Sequence, residues 1–119
     1  MEAPLAGDAL VHVDIRSDNL CVRDGGALLV DWNQAAAGNP LLDAVAFAPS
    51  LAMEGGPPSQ ELLAPRAAPE LVALIAGFFA ARVGLPAPAW GPGLRELQRG
   101  QLRVALPWAA AELGLPAPA

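Results

Sequence analysis

Three oxygen-bearing side chains occur in a fixed order near one end of the sequence: Asp14, Asn19 and Asp31. The first two belong to the stretch His12-Val13-Asp14-Ile15-Arg16-Ser17-Asp18-Asn19, and the third to Val30-Asp31-Trp32. Between them, Asp24-Gly25-Gly26 separates two short apolar runs, Leu20 to Arg23 and Ala27 to Val30. This is a strong hairpin signal, because Gly accepts the positive φ of a tight turn. If the hairpin turns about Gly25, Asn19 and Asp31 face each other at its open end, with Cβ atoms roughly 5 Å apart. An amide oxygen and a carboxylate so placed can share a hard cation such as Mg²⁺, which takes few protein oxygens and keeps other positions for water and phosphate. Asp14 starts the same loop, where a carboxylate can take the proton of a hydroxyl attacking a phosphoryl group.

Taken singly, each residue has a plain structural explanation. Asp14, Asp18 and Asp24 can cap turns, Asn19 is a common loop residue, and a lone His12 is more often structural than catalytic. His12 is therefore given a supporting role, holding the loop by hydrogen bonds. The combination carries the specificity, since a His-x-Asp-x4-Asn match alone has chance odds on the order of one in a hundred at this length.

The elements that must position these groups follow from pattern. Ala9 to Ile15 reads as a short extended segment with Leu10, Val11, Val13 and Ile15, and Arg16 to Asn19 as a loop. After Trp32 the pattern turns helical. Asn39-Pro40 supplies an N-cap and a first-turn proline for a helix whose Leu41, Leu42, Val45 and Ala46 share a face, with Pro49 bending or ending it. Residues 54–68, with Gly55-Gly56-Pro57-Pro58, read as a loop. A second helix is predicted over Pro69 to Val83, burying Leu71, Leu74, Ile75, Phe78 and Phe79, and closed by Gly84 and Pro86. A third starts near Pro92 and carries Leu94, Leu97, Val104 and Trp108 on one side. Pro107 should kink it and Gly114-Leu115-Pro116 stop it. The aromatic positions on these helices read as core rather than ligand contacts.

The 119 residues suffice for one domain with one core. Hydrophobic residues make up 54%, but much of that is alanine and aromatics are only 5%, which favours close-packed helices. The formal net charge is −5, every basic residue is an arginine, and no basic stripe exists, so nucleic acid is not an expected partner. The single cysteine, Cys21, has no internal disulfide partner, which fits a reducing cytoplasm. The longest apolar stretch, Leu71 to Ala81, is far short of the roughly 20 residues of a membrane span, so no membrane association is expected.

His12-Val13-Asp14 with Asn19 resembles the catalytic loop of the aminoglycoside phosphotransferase and choline kinase-like enzymes, whose usual form is H-G-D-x-x-x-x-N. Leu29-Val30-Asp31-Trp32 resembles their I-D-[WF] metal motif, and Gly38-Asn39-Pro40-Leu41-Leu42-Asp43-Ala44-Val45 is similar to the G-D-P-x-x-D-L-A segment that follows. The resemblance is sharp over residues 10–47. It implies Asp14 as catalytic base, Asn19 and Asp31 as Mg²⁺ ligands, and His12, Arg16 and Asp43 in support. It also implies ATP or GTP as phosphoryl donor and a small-molecule hydroxyl as acceptor.

Three residues depart from the family pattern. Val13 replaces the usual Gly, which fits if φ there is negative. Asn33 stands where an acid is common, and Asn39 replaces the Asp before Pro40 while keeping a good N-cap. There is no lysine to pair with the α/β-phosphates, and no Gly-rich phosphate loop precedes His12.

The expected fold is α+β, mostly helical: a protein-kinase-like C-lobe with one β-hairpin after the catalytic loop. It forms a single domain over 1–119, with loop and hairpin over 9–32 and a helical part over 39–115. The N-terminal nucleotide-binding lobe is expected to be absent, the chain being a truncated product, a degenerate fragment, or one part that needs a partner lobe in trans; self-association is the other expected partnership. The alternative is a non-catalytic binding or interaction module on the same fold.

Overall fold

The computed structural model describes residues 5–63 and 68–119. In chain order it contains strand β1 (Ala9–Val11), a 3₁₀ turn (Ser17–Asn19), strands β2 (Leu20–Arg23), β3 (Gly26–Leu29) and β4 (Ala36–Gly38), and helices α1 (Leu41–Met53), α2 (Ser59–Leu63), α3 (Pro69–Arg82) and α4 (Leu94–Glu112). The architecture is α+β: two small antiparallel sheets, β1–β4 and β2–β3, beside a helical layer.

The expected hairpin is present, but its register differs from the expectation. Its turn is the two-residue pair Asp24-Gly25, with Gly25 at φ 84°, and Arg23 pairs with Gly26 and Leu20 with Leu29. The residue opposite Asn19 is therefore Val30, whose N–H donates to the Asn19 carbonyl at 2.9 Å. Asp31 lies one position beyond. Of the two turn residues only Gly25 takes a positive φ, the conformation that a residue without a Cβ adopts at no steric cost.

The first sheet was not legible in the sequence. Extended structure ends at Val11 rather than Ile15, and β1 pairs with an Ala-Ala-Gly segment in the register Ala9↔Gly38, Leu10↔Ala37, Val11↔Ala36. The approach is close: a Cβ on Gly7 would lie 2.3 Å from the Gly38 carbonyl oxygen, so Gly7 has no room for a side chain. The Asn39 N–H continues the pairing by donating to the Leu5 carbonyl at 2.9 Å.

Helix α1 begins where expected, with the Leu41 N–H donating to Asn39 Oδ1 at 2.9 Å. Pro49 does not end it, and α1 runs on to Met53. The pyrrolidine ring is fully buried, which offsets the helical hydrogen bond that its missing N–H cannot make. A short helix, α2, occupies part of the expected loop at 54–68, whose residues 64–67 lie outside the described ones. α3 and α4 pack against each other most extensively, and α1 lies against both. α4 passes through Pro107 and stops at Leu113 and Gly114, the latter at φ 68°.

The core joins all four helices through Val45 and Ala48, Leu63, Leu71, Val72, Ala76 and Phe79, and Ala105, Trp108 and Ala109. Among the described residues no helix is long and apolar enough to cross a membrane. Trp108 is 1% exposed, whereas Trp90 is 81% exposed. Trp108→Ala is expected to destabilise the chain by about 3–5 kcal/mol. Trp90→Ala should stay within about 0.5 kcal/mol. Urea unfolding of the two variants followed by circular dichroism measures the difference, and equal effects would contradict this core.

Candidate active site

The site is built around one ring. His12 follows β1 and is completely buried. Its Nδ1 accepts the Asp14 N–H at 3.1 Å, so Nε2 carries the proton and donates to the Val30 carbonyl at 2.7 Å. Trp32 packs edge-on against the same ring, centroids 4.7 Å apart. The ring thus ties the loop holding Asp14 to the segment holding Asp31.

A second tie runs to the helical layer. The His12 N–H donates to Asp43 Oδ2 and the Val13 N–H to Asp43 Oδ1, both at 2.7 Å. Asp43 lies in the first turn of α1 and so also faces the positive end of its dipole. Both hydrogen bonds are charge-assisted, the stronger kind.

Between these ties the backbone is strained. Val13 has φ 74°, so the negative φ under which a valine would replace the glycine without strain is not met. With Val13 in the left-handed region the chain reverses between His12 and Asp14, and the Asp14 N–H comes back onto the His12 ring. A β-branched residue there is an outlier costing roughly 1–2 kcal/mol, offset by the bonds on either side. Asp31 is also left-handed, at φ 61°, a conformation that Asp tolerates better than β-branched residues.

Asn19 is buried at the end of the 3₁₀ turn. Its Nδ2 donates to the Asp14 carbonyl at 2.8 Å and reaches Asp14 Oδ2 at 3.4 Å, which leaves Oδ1 on the other side of the amide. The structure therefore brings Asp14 and Asn19 into direct contact. It brings Asp31 next to Val30, which bonds both His12 and Asn19. The Asp31 side chain is exposed and takes no hydrogen bond or ion pair among the described residues.

Arg16 Nε lies 3.5 Å from Asp14 Oδ1 and 3.3 Å from Asp18 Oδ1. Both are ion-pair distances, but no hydrogen bond forms from that Nε. Among the described residues no group of three or more His, Cys, Asp or Glu side chains is arranged to hold a metal. An amide oxygen and one carboxylate form a smaller donor set, chemically suited to an ion such as Mg²⁺ that keeps several waters.

A cavity of about 180 Å³ opens beside Asp14, between the loop and α1, α3 and α4. Its helical lining includes Ile75, Phe78, Gln98 and Gln101, residues that sequence reasoning had not connected with a site. Phe78 was expected in the core. It is instead 45% exposed, with the Arg82 guanidinium over its ring at 3.6 Å. The helical stripe identified the face of α3 but not which of its two adjacent phenylalanines reaches the core.

The chain is thus an α+β protein in which a buried histidine locks an Asp-Asn loop against an exposed carboxylate. Residues 3–66, more than half of the chain, match the phosphotransferase enzyme family (APH), and the chain belongs to that family. No curated protein and no solved structure matches it.

The two ties and the strain make opposite predictions about stability. Val13→Gly removes the left-handed penalty at the cost of about 0.5–1 kcal/mol in unfolded-chain entropy, so a net gain of about 1 kcal/mol is expected. Asp43→Asn keeps one acceptor oxygen and presents an NH₂ to a backbone N–H, so a loss of about 1–3 kcal/mol is expected. Urea titrations give both signs. A destabilised Val13→Gly chain would show that the valine is not strained.

Proposed function

We propose that the chain moves the γ-phosphoryl group of ATP or GTP to a hydroxyl of a small molecule, with Asp14 as base. The observation that carries this reading is the contact of Asn19 Nδ2 with both the carbonyl and the carboxylate of Asp14, within a chain of the phosphotransferase family. That contact orients the base and turns the Asn19 amide oxygen away from it.

In this reading Asp14 accepts the acceptor's hydroxyl proton as the oxygen forms its bond to phosphorus. The bond from phosphorus to the β–γ bridging oxygen breaks, and the nucleoside diphosphate leaves with that electron pair. Asn19 and Asp31 would hold Mg²⁺, which when bound neutralises charge on the phosphate oxygens. Arg16 limits the rotation of the Asp14 carboxylate, and His12 and Asp43 fix the backbone that presents it. Residues 1–119 contain no lysine, so the cation that pairs with the α/β-phosphates in related kinases would be supplied from outside these residues.

Trp32 adjoins Asp31 and is itself exposed, so its fluorescence reports on the metal side. Titration with Mg²⁺·ATP is expected to give a saturable change that Asp31→Ala abolishes in a folded chain. An identical change in the variant would remove Asp31 from the metal site. In a form competent for transfer, Asp14→Asn should lower turnover by about 10²–10⁴-fold while leaving this nucleotide signal intact. Unchanged turnover would refute the base assignment.

A further inference from the structure

We propose that the cavity beside Asp14 selects a hydroxyl compound with a hydrocarbon body and no positive charge, rather than a polycationic one. This rests on the phosphotransferase reading above, because it treats the cavity as the place where the acceptor binds. Three observations carry it.

The first is the wall. Ile15 on the loop, Leu42 and Ala46 on α1, Ile75 and Phe79 on α3 and Leu94 on α4 line the cavity with hydrocarbon. A polyamine or aminated sugar seated there would have its ammonium groups stripped of water without compensation, which costs far more than burying neutral carbon.

The second is charge. Asp14 is the only carboxylate among the described lining residues, and Arg16, which also lines the cavity, lies within ion-pair distance of it. Two further arginines stand behind the wall: Arg82 over the Phe78 ring and Arg95 bonded to Gln98. Two other acids near the loop, Asp18 and Glu54, line a separate cavity that shares Arg16 with this one. There Asp18 faces Arg16, and Glu54 Oε1 accepts the Ser17 hydroxyl at 2.6 Å.

The third is a pair of neutral polar groups on α4. Gln98 Oε1 accepts from Arg95 at 2.8 Å, which leaves its NH₂ as a donor. Gln101 Nε2 donates to Ser50 Oγ at 2.9 Å, which leaves its Oε1 as an acceptor. Both glutamines are buried and line the cavity. One donor and one acceptor suit a single uncharged polar group on an otherwise apolar ligand. At about 180 Å³ the space falls below the roughly 300–1,000 Å³ of pockets for drug-sized molecules, so a compact alcohol fits it better than a multi-ring one.

The test measures binding, with no need for transfer. Cinnamyl alcohol and kanamycin serve as the apolar and polycationic probes, titrated into the full chain by calorimetry and saturation-transfer NMR. Ala46→Phe and Ile75→Trp each fill the cavity from a different helix, and circular dichroism establishes that each variant is folded. Saturable binding of cinnamyl alcohol that weakens by about tenfold or more in both variants, without kanamycin binding, is expected. Kanamycin binding at least as tightly would overturn the proposed class while leaving the phosphotransferase reading in place. Binding of cinnamyl alcohol unaffected by either folded variant, or no binding of either probe, would also overturn it. The Mg²⁺·ATP signal at Trp32 reports on the phosphotransferase reading independently of all these outcomes.

Discussion

The cleft depends on a buried imidazole that must have two partners. An unpaired ring nitrogen in the interior costs about 1–3 kcal/mol, so both nitrogens of His12 recruit one. One finds the N–H of Asp14, two residues on, and the other finds the carbonyl of Val30, across the hairpin. These partners belong to the segments carrying the acids. Neither loop could hold such a conformation by hydrophobic burial, since most of the hairpin is solvent-exposed. Satisfying one buried ring therefore does for the loops what packing does for the helices.

The ring is itself fixed from outside. β1 delivers His12 and β4 delivers α1, and their pairing sets His12 beside the first turn of the helix, where Asp43 waits. That pairing requires backbones to touch at Gly7, so a residue with no side chain is as much a part of the site as any acid. The strain at Val13 belongs to the same arrangement. The bidentate Asp43 carboxylate on one side and the His12 ring on the other over-determine the turn, and a valine is tolerated where glycine would be easier.

What was legible in the sequence and what was not divide along physical lines. Local signals worked: Asp24-Gly25 turns, Asn39 caps, Pro69 starts a helix and Gly114 ends one, because each acts within a few residues. Apolar spacing found the face of α3. Effects that depend on distant segments were hidden. Ala36–Gly38 has no β-branched or aromatic residue to mark a strand and becomes one only because β1 lies beside it. The register that puts Val30 opposite Asn19 turns on a one-residue difference in turn length. The sign of φ at Val13 is set by Asp43, thirty residues away in sequence. The order of Asp14, Asn19 and Asp31 was plain, but the cavity was not, since its lining comes from the loop and three helices.

The distribution of charge gives the cleft two unlike sides. Along the loop and hairpin lie Asp14, Asp18, Asp24 and Asp31, against only Arg16 and Arg23. On the helical side Arg82 and Arg95 lie close behind the hydrocarbon wall, and no carboxylate of the described helices lines the cavity. A polyphosphate approaching the Asp31 side alone meets like charge. At the effective dielectric of about 20 near a protein surface, two unit charges 4 Å apart repel by about 4 kcal/mol. Salt screens this only over distances beyond about 8–10 Å. A divalent cation between phosphate and carboxylate reverses the sign, so the same acids that repel free nucleotide would attract the metal-bound form. In the proposed reading the two sides would select in different ways, the exposed acids by charge and the hydrocarbon-lined cavity by desolvation. Arg16, which lines the cavity and lies against Asp14, stands at the boundary between them.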